Sequence, residues 1–105
     1  MNRRGLLVEP HELSRIALRN AFTEMGVAID ICTNLDDAGA ADLAGYDLLI
    51  VGCPATEPGI ERTLTWIEHR AANAGLPIIA LVSSSDEAVL ARFTSAGAAY
   101  CLSKP

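Results

Sequence analysis

The chain has 105 residues, half of them apolar and a fifth charged, with a net charge of −5. That is one domain with enough chain for a core. The acidic balance, with Arg residues scattered from Arg3 to Arg92, argues against a nucleic-acid or anionic-membrane surface, both of which favour clustered Lys and Arg.

No apolar run approaches the ~20 residues of a membrane span. No signal-peptide core follows the two N-terminal Arg. Cys32, Cys53 and Cys101 are widely spaced and odd in number. That suits reduced cytosolic thiols and not a disulfide frame or a zinc site.

Along the chain, segments of different type alternate. Gly5-Leu-Leu-Val8 predicts a short buried strand. Pro10 is expected to open a helix, where its missing N–H costs nothing. Leu13, Ile16, Ala17, Asn20, Ala21 and Glu24 mark a helical face, and Gly26 ends it. Val27 to Cys32 predicts a second strand, and Asn34 caps a short Ala-rich helix to about Ala44. Asp47 to Val51 is a continuous apolar run, as at the centre of a parallel sheet. Pro54, Pro58 and Gly59 predict a loop over 53–59, and Ile60, Leu64 and Ile67 carry helical spacing toward Ala74. Pro77 to Val82 is another central strand. Ser84-Ser-Asp-Glu87 fits a capping box for a helix through Val89, Leu90 and Phe93 to Gly97. Ala99 to Leu102 is the fifth strand.

Such alternation implies a parallel sheet covered on both faces. Function then gathers at the carboxyl ends of the strands. Those ends hold Glu9, Cys32, Gly52, Cys53, Val82, Ser83, Ser103 and Lys104. A fifth helix is expected after Pro105, so residues 1–105 are expected to be one domain excised from a longer protein.

The acid-ended run Leu6-Leu-Val-Glu9, the segment Tyr46-Asp-Leu-Leu-Ile-Val51, the strand Pro77-Ile-Ile-Ala-Leu81, Ala96-Gly97-Ala98 and Ser103-Lys-Pro105 stand in order at matching intervals. Together they resemble the receiver (CheY-like) domain of two-component response regulators over essentially the whole chain. The resemblance implies an α/β, flavodoxin-like three-layer sandwich with strand order 2-1-3-4-5, lacking its last helix. It also implies a turn at Pro105, often with a cis peptide bond. Leu7-Val-Glu-Pro10, with Gly97 to Pro105, further resembles the degenerate receiver-like domain of hybrid sensor kinases of the BarA type.

In that family a histidine kinase passes a phosphoryl group to an Asp ending the third strand. Two acids after the first strand hold Mg²⁺, which wants hard oxygen ligands. A Lys after the fifth strand neutralises phosphate charge. A Ser or Thr ends the fourth strand, and an aromatic on the fifth strand turns inward. Carried over position by position, the acid pair becomes Glu9 and Pro10, the acceptor becomes Gly52, the hydroxyl position becomes Val82 and the aromatic becomes Cys101. Tyr100 stands one place early and is expected to point to the opposite face. Lys104 and Pro105 are retained. The resemblance therefore implies a pseudo-receiver with no catalytic residue, no metal and no cofactor.

Plainer roles stand beside these. Glu9 and Lys104 are expected to form an ion pair across the top of the sheet. Cys53 lies beside the vacated acceptor, but a nucleophilic Cys needs a base or cation, and His11 and His69 fall on helices, so it reads as a small, partly buried residue. Cys32 and Cys101 read as packed strand residues. Asp36 and Asp37 suit the first turn of the second helix. Asp47 lies at the wrong end of its strand for the site. Trp66 is core or a partner anchor, and the pattern leaves both open.

The expected function is non-catalytic: a protein-interaction and regulatory module in the cytoplasmic portion of an inner-membrane hybrid sensor histidine kinase. Its expected partners are the kinase core or a true receiver of the same protein, with a homodimer as a further possibility, and neither nucleic acid nor membrane. The fourth-helix and fifth-strand face is the expected contact surface. The alternative is a ligand-sensing pseudo-receiver binding a nucleotide or other small anion.

Overall fold

The structure is a computed structural model that describes residues 3–39, 43–71, 75–83 and 86–104. Five parallel strands form one sheet in the order β2-β1-β3-β4-β5: β1 (Arg3–Val8), β2 (Val27–Cys32), β3 (Leu48–Cys53), β4 (Ile78–Val82) and β5 (Tyr100–Ser103). Between them run α1 (Glu12–Glu24), α2 (Leu35–Gly39), α3 (Glu57–Trp66) and α4 (Glu87–Ala96). A short 3-10 turn, Leu43–Gly45, precedes β3, and a π-helical turn, Ile67–Ala71, extends α3. This is the flavodoxin-like three-layer architecture expected from the sequence. No helix among the described residues is long and apolar enough to cross a membrane.

Because strand side chains alternate between faces, the sheet sorts its apolar residues into two cores. Leu6, Val8, Leu49, Val51, Ile78, Ala80 and Val82 face α2, α3 and α4, and pack with Ile60, Leu64, Ile67 and Phe93. Leu7, Val27, Ile29, Ile50 and Leu81 face the other way, toward Leu18 and Phe22 of α1. Among the described residues, α2, α3 and α4 thus cover one face and α1 covers part of the other. Tyr100 and Leu102 on β5 stay exposed, at 66% and 53%.

Two helix starts and the buried face of α1 depart from expectation. Pro10 lies before α1 and does not open it; His11 is the N-cap. The face marked by Leu13, Ile16 and Ala17 is exposed, and Leu18 and Phe22 touch the sheet instead. Helix α3 begins at Glu57, inside the expected loop. Thr56 caps it by accepting a hydrogen bond from the Gly59 N–H, and Pro58 sits in the first turn, where no N–H is missed. At α4, the Asp86 carboxylate accepts from the Ala88 N–H and Gly97, at φ 122°, ends the helix. Ser84, Ser85, Ala72 to Ala74 and Pro105 with its expected cis bond lie outside the described residues. Asn34 caps α2 as expected, its Oδ1 accepting from the Asp37 N–H at 2.8 Å, and Asp36 and Asp37 stand in the first turn.

The amino ends of the strands carry a network that sequence reading did not single out. Arg4 Nη2 pairs with Asp30 Oδ2 at 2.7 Å, and Arg4 Cζ lies 4.9 Å from the centre of the Tyr46 ring. The Tyr46 hydroxyl donates to the same Asp30 oxygen at 2.8 Å, and Asp47 accepts from the Arg4 N–H at 2.9 Å. The hydrogen bond from Arg4, then that from Tyr46, holds the Asp30 carboxyl below its ordinary range. Its contribution to stability is present above the unfolded carboxylate value and lost as pH falls through the lower folded one. Asp30→Asn should therefore flatten the fall in thermal midpoint below about pH 4. A pH series of melts in which wild type and variant fall in parallel would contradict this.

Candidate functional site

The carboxyl ends of β1, β3 and β5 bring Glu9, Gly52 and Lys104 together. Val8 on β1 is in register with Val51 on β3, so Glu9 stands beside Gly52 one step further on. The Glu9 N–H donates to the Cys32 carbonyl at 3.0 Å, and the Lys104 N–H to that of Val82 at 2.8 Å, which fixes both backbones. The side chains then meet as expected: Lys104 Nζ donates to Glu9 Oε1 at 2.8 Å. Glu9 is fully buried and the Lys104 side chain is 11% exposed.

The second Glu9 oxygen explains Gly52. Oε2 is buried and has no hydrogen-bond partner. A Cβ placed on Gly52 would fall onto Oε2 and lie 2.6 Å from Glu9 Cδ. The carboxylate of residue 9 thus occupies the space that a side chain at residue 52 would need. Oε1 also accepts a longer hydrogen bond, 3.3 Å, from the His11 N–H.

The remaining positions do not converge on that carboxylate. Pro10 is exposed, and its carbonyl accepts from Arg15, as does that of Glu9. Val82 is buried in the core, and Ser83 is exposed. Cys101 packs against the core shared with α3 and α4, while Tyr100 is exposed. Cys53 is more buried than expected, and burial raises its thiol above the ordinary value, with Sγ donating to the Pro54 carbonyl at 3.3 Å. Burial likewise raises Cys32 and Cys101, so none of the three is poised as a thiolate. Trp66 is half-buried against the core, its indole N–H buried without a partner.

Mg²⁺ does not fit these residues. It needs several hard oxygen ligands in octahedral array. Here one carboxylate faces the site, and it is committed to Lys104; Pro10 offers no side-chain ligand. No cluster of three or more His, Cys, Asp or Glu suited to a metal occurs among the described residues. A crevice beside the site runs between the ends of β1 and β3, lined by Val8, Pro10, Gly52, Pro54, Arg62 and Thr63 among others. Its volume is about 200 Å³, below the ~300 Å³ at which ligand pockets usually begin. The cation among its described lining residues, Arg62, approaches Asp36 at 3.8 Å.

No family model and no curated protein matches the chain. Solved structures do. A response regulator from Thermotoga maritima superposes with a TM-score of 0.79 at 18% identity, over 100% of this chain and 87% of that one. The non-phosphorylated HemR receiver domain of Leptospira biflexa gives 0.79 at 19% identity, over 99% and 83%. The response regulator TrrA of Thermotoga maritima, solved with Mg²⁺ and BeF, gives 0.73 at 24% identity, over 98% and 87%. At these identities the likeness is one of fold: the chain has the fold of response-regulator receiver domains.

The interlock of Glu9 and Gly52 has a measurable cost. Gly52→Ala should displace the Glu9 carboxylate from Lys104 and destabilise the domain by about 3 kcal/mol in urea unfolding. In a Glu9→Ala background the same change should cost at least about 1 kcal/mol less. Equal costs in the two backgrounds would show that the side chains do not compete for one space.

Proposed function

We propose that this domain is a non-phosphorylatable receiver module of a two-component signalling protein, a hybrid sensor histidine kinase, and works by protein contact. The supporting observation is the Glu9 carboxylate seated over Gly52 and held by Lys104. Phosphotransfer on this fold needs a nucleophile, a metal and a free cation at one point. At that point this chain has a glycine, no fitting metal ligand set and a Lys already neutralised. The domain is then not itself an enzyme, and what it offers partners is a shape.

The contact surface on this reading is the α4 and β5 side; Tyr100 and Leu102, on the other face of β5, are exposed where a fifth helix is expected. On this reading the partners are the kinase core or a true receiver of the same protein, in the cytoplasmic part of an inner-membrane kinase. At the site itself the nucleotide-sensing alternative gains no support, because the crevice there is about 200 Å³ and Arg62 is the basic residue among its described lining.

Incubating the domain with acetyl phosphate and Mg²⁺, or with a phosphorylated histidine kinase, should leave its intact mass unchanged. A covalent gain of phosphate size on any residue would overturn the reading.

A further inference from the structure

Lys104 and Gly52 make a place that calls for an anion. The Lys104 ammonium is nearly buried, and a buried cation needs an opposite charge. Beside it the bare Cα of Gly52 leaves a space into which a carboxylate fits. The His11 N–H points a second donor at the same oxygen, 3.3 Å away. The group that fills the space is incompletely held, because Glu9 Oε2 finds no donor at all. The cradle therefore satisfies one oxygen of its occupant and merely accommodates the other. That is how a general carboxylate hole behaves when the nearest side chain has been drawn into it.

We propose that Glu9 is a tethered internal ligand of a small-carboxylate site formed by Lys104, the His11 N–H and Gly52, and that its seating shuts that site to free anions. The proposal rests on the reading of these residues as a receiver site without its acceptor, and it adds that the site is self-occupied. The tether gives Glu9 a high effective concentration, so a free carboxylate at ordinary concentration does not displace it. Removing the side chain beyond Cβ empties the hole and leaves the Lys104 charge in place.

Thermal unfolding of the whole 105-residue chain in sodium formate, against equal sodium chloride, tests this. Glu9→Ala should melt about 6 °C higher in 100 mM formate than in 100 mM chloride, a shift of the folding equilibrium of about tenfold. Wild type should show no difference, and neither should Glu9→Gln, whose amide still fills the space. The double variant Glu9→Ala/Lys104→Met lacks the cation and should be equally indifferent. A formate effect of the same size in wild type or in the double variant would overturn the proposal. So would a Glu9→Ala chain that stays unfolded at every formate concentration while the double variant folds. A covalent phosphate gain would sink the functional reading and leave a reversible formate effect standing. Indifference of folded Glu9→Ala to formate would sink the internal ligand and leave the functional reading standing.

Discussion

The contact between Glu9 and Lys104 constrains everything at the carboxyl edge of the sheet. It joins the strand that starts the chain to the strand that ends it, across β3 and β4. Its net contribution to stability is small, because desolvating two charges offsets most of their attraction. Its contribution to arrangement is larger. The sheet ladders place β1 and β5, and a buried cation and a buried anion each disfavour any packing at this edge that separates them. Gly52 follows from the same requirement, because only a residue without a side chain leaves the carboxylate room.

The two cores divide the work unevenly. The face under α2, α3 and α4 holds Phe93, Ile67 and most of the large buried residues. The face under α1 holds a smaller set, and α1 itself has no buried residue. Folding stability is therefore concentrated on one side, while the other side, near β5, keeps apolar groups in water.

Much of the fold was legible because parallel strands are apolar on both faces and helices between them end at Gly26 and Gly97. What the pattern could not give was which helical stripe of α1 turns inward. Two stripes overlap, one through Leu13, Ile16 and Ala17, the other through Leu18 and Phe22, and periodicity does not separate them; the bulk of Phe22 and the position of α1 over β2 do. The start of α3 was hidden by Pro58-Gly59, which read as a loop although Thr56 with a Pro in the first turn is also a helix start. At the site, the Glu9–Lys104 pair was legible from two opposite charges at carboxyl ends of strands. The seating of Glu9 over Gly52 was not, since it depends on the lateral spacing of β1 and β3 and the reach of one extra methylene. The Arg4–Asp30–Tyr46 network was not legible either: its members are 26 and 16 residues apart, and no local pattern connects them.

The shared space of residues 9 and 52 also bears on how such a sequence can change. A side chain at 52 competes with a glutamate at 9 for one space, and shortening residue 9 alone strands the Lys104 charge. Each single change is expected to lower stability, so the two positions are expected to change together. Steric exclusion between neighbouring strands thus acts as a ratchet: once the glycine and the glutamate are in place, selection for stability alone holds them there.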